Sequence, residues 1–120
     1  MQLSPYIIVS DVEEAAQFYQ KTFGGVLKRL NEHEGKLLHA ELEITTGVTL
    51  HLSSNYGKPI ERQGYHLILT FDQLAEQQRI YEALSEAGDP HMPLQKTFFD
   101  AIHGQVTDRY GINWLMNYFE

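Results

Sequence analysis

The chain has 120 residues, 42% hydrophobic and 21% charged, which is enough apolar material for one folded domain and leaves no stretch biased enough to be disordered. Nine Lys and Arg against sixteen Asp and Glu give a net charge of −7, the wrong sign for neutralising phosphates, so no nucleic-acid partner is expected. The absence of cysteine excludes disulfides, thiolate metal sites and a Cys nucleophile.

Met-Gln-Leu-Ser-Pro at the start has neither the basic nor the apolar region of a secretory signal. No apolar run approaches the roughly 20 residues that span a bilayer. A cytoplasmic protein with no membrane partner is expected. Tyr6 to Val9 is rich in β-branched residues and predicts a strand. Asp11 is placed as a helix N-cap, with Glu14 completing a capping box. Val12, Ala15, Ala16, Tyr19 and Phe23 recur at helical spacing until Gly24-Gly25 stops the helix. Val26 to Leu30 predicts a strand. Leu37 to Ile44 predicts another, with Leu38, Ala40, Leu42 and Ile44 on one face and His39, Glu41 and Glu43 on the other. Val48 to Ser53 alternates likewise, Thr49, His51 and Ser53 opposing Val48, Leu50 and Leu52. A three-residue loop Thr45-Thr46-Gly47 pairs Ile44 with Val48, Leu42 with Leu50, Glu41 with His51 and His39 with Ser53. His39, Glu41, His51 and Ser53 then form a polar patch on one sheet face.

Residues 54–63 are polar, contain Gly57 and Pro59, and predict a connecting loop. The same order of elements then restarts. Tyr65 to Phe71 predicts a strand and Asp72 an N-cap. Leu74, Ile80, Tyr81 and Leu84 mark a helix that Gly88 ends. Met92 to Leu94, Phe98 to Val106 and Ile112 to Tyr118 predict strands, the last two joined by the turn Asp108-Arg109-Tyr110-Gly111. A β-α-β-β-β order thus occurs twice, offset by about 60 residues, the scale of a repeated module. The expectation is one α+β domain, residues 1–120, built of modules 1–54 and 64–120. Its helices cover one face, and its strands form two packed sheets or one continuous curved sheet.

The opening Tyr-Ile-Ile-Val-Ser-Asp-Val-Glu-Glu-Ala-Ala-Gln-Phe-Tyr-Gln-Lys-Thr-Phe-Gly-Gly resembles the first module of the vicinal oxygen chelate (glyoxalase/bleomycin resistance/dioxygenase) superfamily. His39-Ala-Glu-Leu42, Met92-Pro-Leu-Gln-Lys-Thr-Phe-Phe99 and Gly104-Gln-Val-Thr-Asp-Arg-Tyr-Gly-Ile-Asn-Trp-Leu-Met-Asn117 are similar to its PhnB-like branch. That branch sometimes carries a demethylubiquinone methyltransferase label, but no Gly-rich nucleotide loop follows a strand here. The resemblance implies a curved mixed sheet around a cleft, and a homodimer, with which apolar Leu3 and Tyr118-Phe119 are compatible. Catalytic members hold a divalent metal with four side chains. The matching positions here are Ser4, His51, His66 and Leu115, of which Ser4 is a poor ligand and Leu115 none.

Two imidazoles remain, and Glu41 beside His51 completes a possible His51-His66-Glu41 metal set. Glu41 is also the candidate general base. The candidate ligand-binding residues are Tyr6, His39, Glu41, His51, His66, Phe98 and Asn113. His33, His91 and His103 are expected at the surface, and Trp114 in the core beneath the second helix. Three functions follow. The first is a PhnB-like protein that binds or sequesters a small molecule in the cleft with no metal or other cofactor. The second is a metal-dependent lyase, isomerase or dioxygenase. The third is a resistance protein whose acidic cleft traps a cationic drug.

Overall fold

The computed structural model describes residues 1–120. The elements run β1 (Tyr6–Val9), α1 (Val12–Phe23), β2 (Val26–His33), β3 (Lys36–Thr45), β4 (Val48–Ser54), β5 (Leu67–Phe71), α2 (Leu74–Ser85), β6 (Asp89–Lys96), β7 (Ala101–Thr107) and β8 (Asn113–Phe119). The chain divides into two compact units, Met1–Glu61 and Arg62–Glu120. Each carries one four-stranded mixed sheet and one helix, with strand orders β1-β4-β3-β2 and β5-β8-β7-β6. The predicted α+β class and doubled β-α-β-β-β order are therefore present, with the strands in two separate sheets. No helix is long and apolar enough to cross a membrane.

In the first unit β1 lies parallel to β4 and the other two pairings are antiparallel. A parallel pair cannot be closed by a tight turn, and α1 begins the long return path between the two strands. Asp11 caps α1 as expected, its carboxylate accepting from the Glu14 N–H at 3.1 Å. The helix buries Val12, Ala15, Ala16 and Tyr19 on the face of the sheet that carries Ile7, Val9, Ala40, Leu42, Leu50 and Leu52. Each large side chain buried there contributes about 1.5–3 kcal/mol. Gly25 is fixed by a close approach: a Cβ on it would lie 2.2 Å from the Glu43 carbonyl oxygen, and its φ is +96°. Arg29 reaches across to α1 and pairs with Glu13 at 2.7 Å and also with Glu32.

The β3–β4 register matches the expectation from Glu41 opposite His51 through His39 opposite Ser53. At the turn it differs. Thr45 faces Val48, Ile44 is left over as a bulge, and the loop is the two residues Thr46-Gly47. Two further bulges offset each other between β2 and β3, Leu30 on one strand and Leu38 on the other. Because Leu38 is the extra residue, Leu37 takes the buried phase and Leu38 is half-exposed, against simple alternation.

In the second unit β5 lies parallel to β8, and β6, β7 and β8 pair antiparallel. α2 buries Gln77, Ile80, Tyr81 and Leu84. Trp114 and Met116 are buried on β8, as expected for core positions. The turn into β8 is held by Asp108, which is 3% exposed. Its carboxylate accepts from the Tyr110 N–H at 2.8 Å, the Ile112 N–H at 3.1 Å and the Trp114 indole N–H at 2.9 Å.

Four expectations are corrected here. The strand predicted from Tyr65 starts only at Leu67. The α2 N-cap is Gln73, with no side-chain cap bond, in place of Asp72. At the far end of α2 the left-handed residue is Ala87, at φ 58°, not Gly88. Gly88 is needed for space, since a Cβ there would sit 2.6 Å from the Thr107 carbonyl oxygen. Phe98 and Phe99 belong to the turn between β6 and β7, so neither is a strand residue. Of the four edge strands β1, β2, β5 and β6, two differ plainly in chemistry: β2 carries Lys28 and Arg29, whereas β6 carries Pro90 and Pro93.

Candidate functional site

The face of the first sheet away from α1 collects the predicted polar patch. Tyr6 and Ile8 reach it from β1, His39 and Glu41 from β3, and His51 and Ser53 from β4. Alternation sends their neighbours Ile7, Ala40 and Leu52 into the core, which fixes which side chains point outward. His39 and His51 are half-buried, and their facing ring nitrogens, Nε2 and Nδ1, are 3.1 Å apart. On the opposite edge of the His51 ring, Nε2 lies 3.7 Å from the Glu41 carboxylate. Tyr6 covers the pair, stacked on His51 at 6.2 Å between ring centres and edge-on to His39 at 5.6 Å.

The 3.1 Å contact is a hydrogen bond in which one facing nitrogen carries the proton and the other accepts, which leaves His39 Nδ1 and His51 Nε2 for other partners. Glu41, whose carboxylate only accepts, lies beyond hydrogen-bond distance of His51 Nε2 and acts on the pair electrostatically, favouring a proton on that nitrogen. Ser53 is buried, and its hydroxyl donates to the Ser54 carbonyl at 3.3 Å.

The second sheet has its own polar cluster, on β7 and β8. His103 Nδ1 donates to Asn117 Oδ1 at 2.7 Å, and His103 Nε2 accepts from Gln105 Nε2 at 3.2 Å. Both ring nitrogens of a neutral imidazole are thereby satisfied, which pins the ring. Phe99 meets His103 edge-on at 6.0 Å, and Phe98, 98% exposed, stands edge-on to Phe99. Asn113 Oδ1 accepts from the Thr107 hydroxyl at 2.7 Å.

Tyr6, His39, Glu41 and His51 come together. Asn113 lies on the second sheet, bonded to Thr107. His66 is exposed just ahead of β5, and its neighbours Ile68 and Thr70 are exposed with it. His103, Gln105 and Asn117 match no site motif in the sequence, although alternation from the Asp108–Gly111 turn puts them on one face. His103 is half-buried and bonded, not a freely exposed surface histidine.

A metal centre on the four inherited positions does not fit. Ser4 offers a neutral hydroxyl and Leu115 only carbon. No group of three or more His, Asp or Glu side chains is placed to hold an ion.

Comparison with known proteins bears on the whole chain. A family model described as Glyoxalase/Bleomycin resistance protein/Dioxygenase superfamily matches residues 2–116. Among solved structures, protein PA1353 from Pseudomonas aeruginosa is 32% identical, with a TM-score of 0.86 over 99% of this chain and 98% of that one. A PhnB protein from Bacillus cereus is 22% identical, with a TM-score of 0.79 over 98% of this chain and 99% of its own. Protein YjdN from Escherichia coli is 24% identical, over 98% of this chain and 95% of its own length.

Proposed function

Because the chain belongs to the glyoxalase/bleomycin resistance protein/dioxygenase superfamily, we propose that it binds or sequesters a small molecule. Recognition uses the first sheet's polar face and relies on stacking and hydrogen bonding instead of the superfamily's four-ligand metal. The observation that carries this reading is the Tyr6–His51–His39 cluster backed by Glu41. Tyr6 is 59% exposed and offers an aromatic ring to a planar ligand, while His39 Nδ1 offers a hydrogen-bond acceptor beside it. The chemistry suits a flat molecule with one O–H or N–H donor at its edge. Glu41 serves as a positioning residue for the histidine tautomers and not as a free base. The mismatch of Ser4 and Leu115 with metal ligation supports the same reading.

The test is a ligand-observed NMR screen of planar phenols and heteroaromatic N–H compounds against chelator-treated protein. Hits should lose saturation transfer in Tyr6→Ala and weaken in His39→Ala. Hits indifferent to both substitutions would sink the reading. A homodimer is part of the same proposal, supported by the exposed apolar side chains of Leu3 and Phe119. Sedimentation velocity showing a monomer at micromolar concentration would remove that part alone.

A further inference from the structure

The two facing imidazole nitrogens have a second use. Ligands to a transition metal sit about 2.0–2.1 Å from the ion, so two nitrogens sharing one ion are about 2.9 Å apart at a right angle and about 3.4 Å apart at the tetrahedral angle. His39 Nε2 and His51 Nδ1, at 3.1 Å, fall inside that window. The rings are inclined by 43°, and a modest rotation about the soft χ2 torsions turns both lone pairs onto a common point. Glu41 lies on the far edge of His51, 3.7 Å from Nε2, where it cannot bind the same ion. From there a small side-chain movement brings it within hydrogen-bond distance of the non-ligating N–H of a metal-bound His51, where a carboxylate orients the ring and raises its basicity.

We propose that His39 Nε2 and His51 Nδ1 form a divalent transition-metal site, open to solvent on its remaining positions, with Glu41 as the outer partner of His51. Loading moves the His39 proton from Nε2 to Nδ1 and leaves the His51 proton on Nε2, so a neutral pair takes up the ion without net proton release. Imidazole suits Zn²⁺, Ni²⁺ and Cu²⁺, and oxygen donors from water or a small molecule complete the shell. This site shares only His51 with the four inherited positions: its second nitrogen comes from His39 on β3, and it does without Ser4, His66 and Leu115. It goes beyond the small-molecule reading and does not rest on it, because the nitrogens it uses are already turned toward each other in the free protein.

The experiment titrates tag-free protein with Zn²⁺ and with Ni²⁺ by calorimetry. One saturable site is expected. His39→Ala and His51→Ala each abolish it, Glu41→Gln weakens it about 10- to 100-fold, and His66→Ala and His103→Ala leave it unchanged. Long-range ¹H–¹⁵N spectra of the wild-type imidazoles with Zn²⁺ guard against misfolded variants: His39 Nε2 and His51 Nδ1 should shift while His51 Nε2 keeps its proton. No saturable binding up to millimolar ion overturns the proposal. So does binding that survives the His39 and His51 substitutions, or shifts confined to other rings. The small-molecule screen runs on chelator-treated protein, so the two readings fail separately.

Discussion

Asp108 anchors the turn into β8 with three hydrogen bonds, so removing its carboxylate should be costly. Asp108→Ala strands the Ile112 N–H and the Trp114 indole N–H, both belonging to buried residues, along with the half-exposed Tyr110 N–H. A hydrogen bond to a charged acceptor contributes about 1.5–3 kcal/mol, and two lost in the interior predict a cost of about 3–6 kcal/mol. Asp108→Asn separates the contributions. Its amide oxygen still accepts from the two backbone N–H groups, but its NH₂ then faces the Trp114 N–H, donor against donor, for a loss of about 1.5–3 kcal/mol. Trp114 is the only tryptophan and is 3% exposed, so its emission follows unfolding directly. Urea titrations of the wild type, Asp108→Asn and Asp108→Ala should give midpoints in that descending order. Equal costs for the two variants, or a cost below 1 kcal/mol for Asp108→Ala, would refute the assignment of the carboxylate as the anchor of the turn.

Three more outcomes are expected. Gln73 makes no side-chain cap, so Gln73→Asp should raise stability by about 0.5–1 kcal/mol in the same titration. Gly24 and Gly25 both have positive φ, but only Gly25 is crowded by Glu43. Gly24→Ala should therefore cost about 1–2 kcal/mol and Gly25→Ala about 2–5 kcal/mol, read from the shift in melting temperature. Glu13 is held below its ordinary 4.5 by the hydrogen bond from Arg29, so its contribution is present above that value and lost as the pH falls through the lower, folded-state one. Glu13→Gln should be less stable than the wild type near neutrality and indistinguishable at strongly acid pH; a gap that persists in acid would contradict the pairing.

Alternation was enough to read the first sheet's polar face, because His39, Glu41 and His51 sit in the regular middle of β3 and β4. It failed where a strand carries an extra residue. The bulges at Leu30, Leu38 and Ile44 are set by pairing across strands, and no single strand's pattern announces them. Asp72 has the right chemistry for a cap but lies one residue early; where α2 starts depends on which side chains the sheet can bury. Phe98 and Phe99 look like strand residues by propensity, yet the chain must reverse between β6 and β7, and the reversal takes them. A lone histidine near a turn, as His103 is, carries no signal in the sequence. Its partners Gln105 and Asn117 become visible only when two strands are laid side by side. That Leu115 cannot hold a metal, and that Ser4 is a poor ligand for one, follows from side-chain chemistry alone.

The unlike outer strands have a consequence for how the protein behaves when crowded. A free edge invites another chain to dock by backbone pairing, the first step toward insoluble deposits. Pro90 and Pro93 withhold two donors from any such visitor at β6. At β2 the deterrent is the desolvation of Lys28 and Arg29 together with a kinked backbone. The first safeguard is covalent and indifferent to the medium. The second rests on side-chain charge that a substitution can remove, so Lys28→Val should expose β2 to clumping before β6.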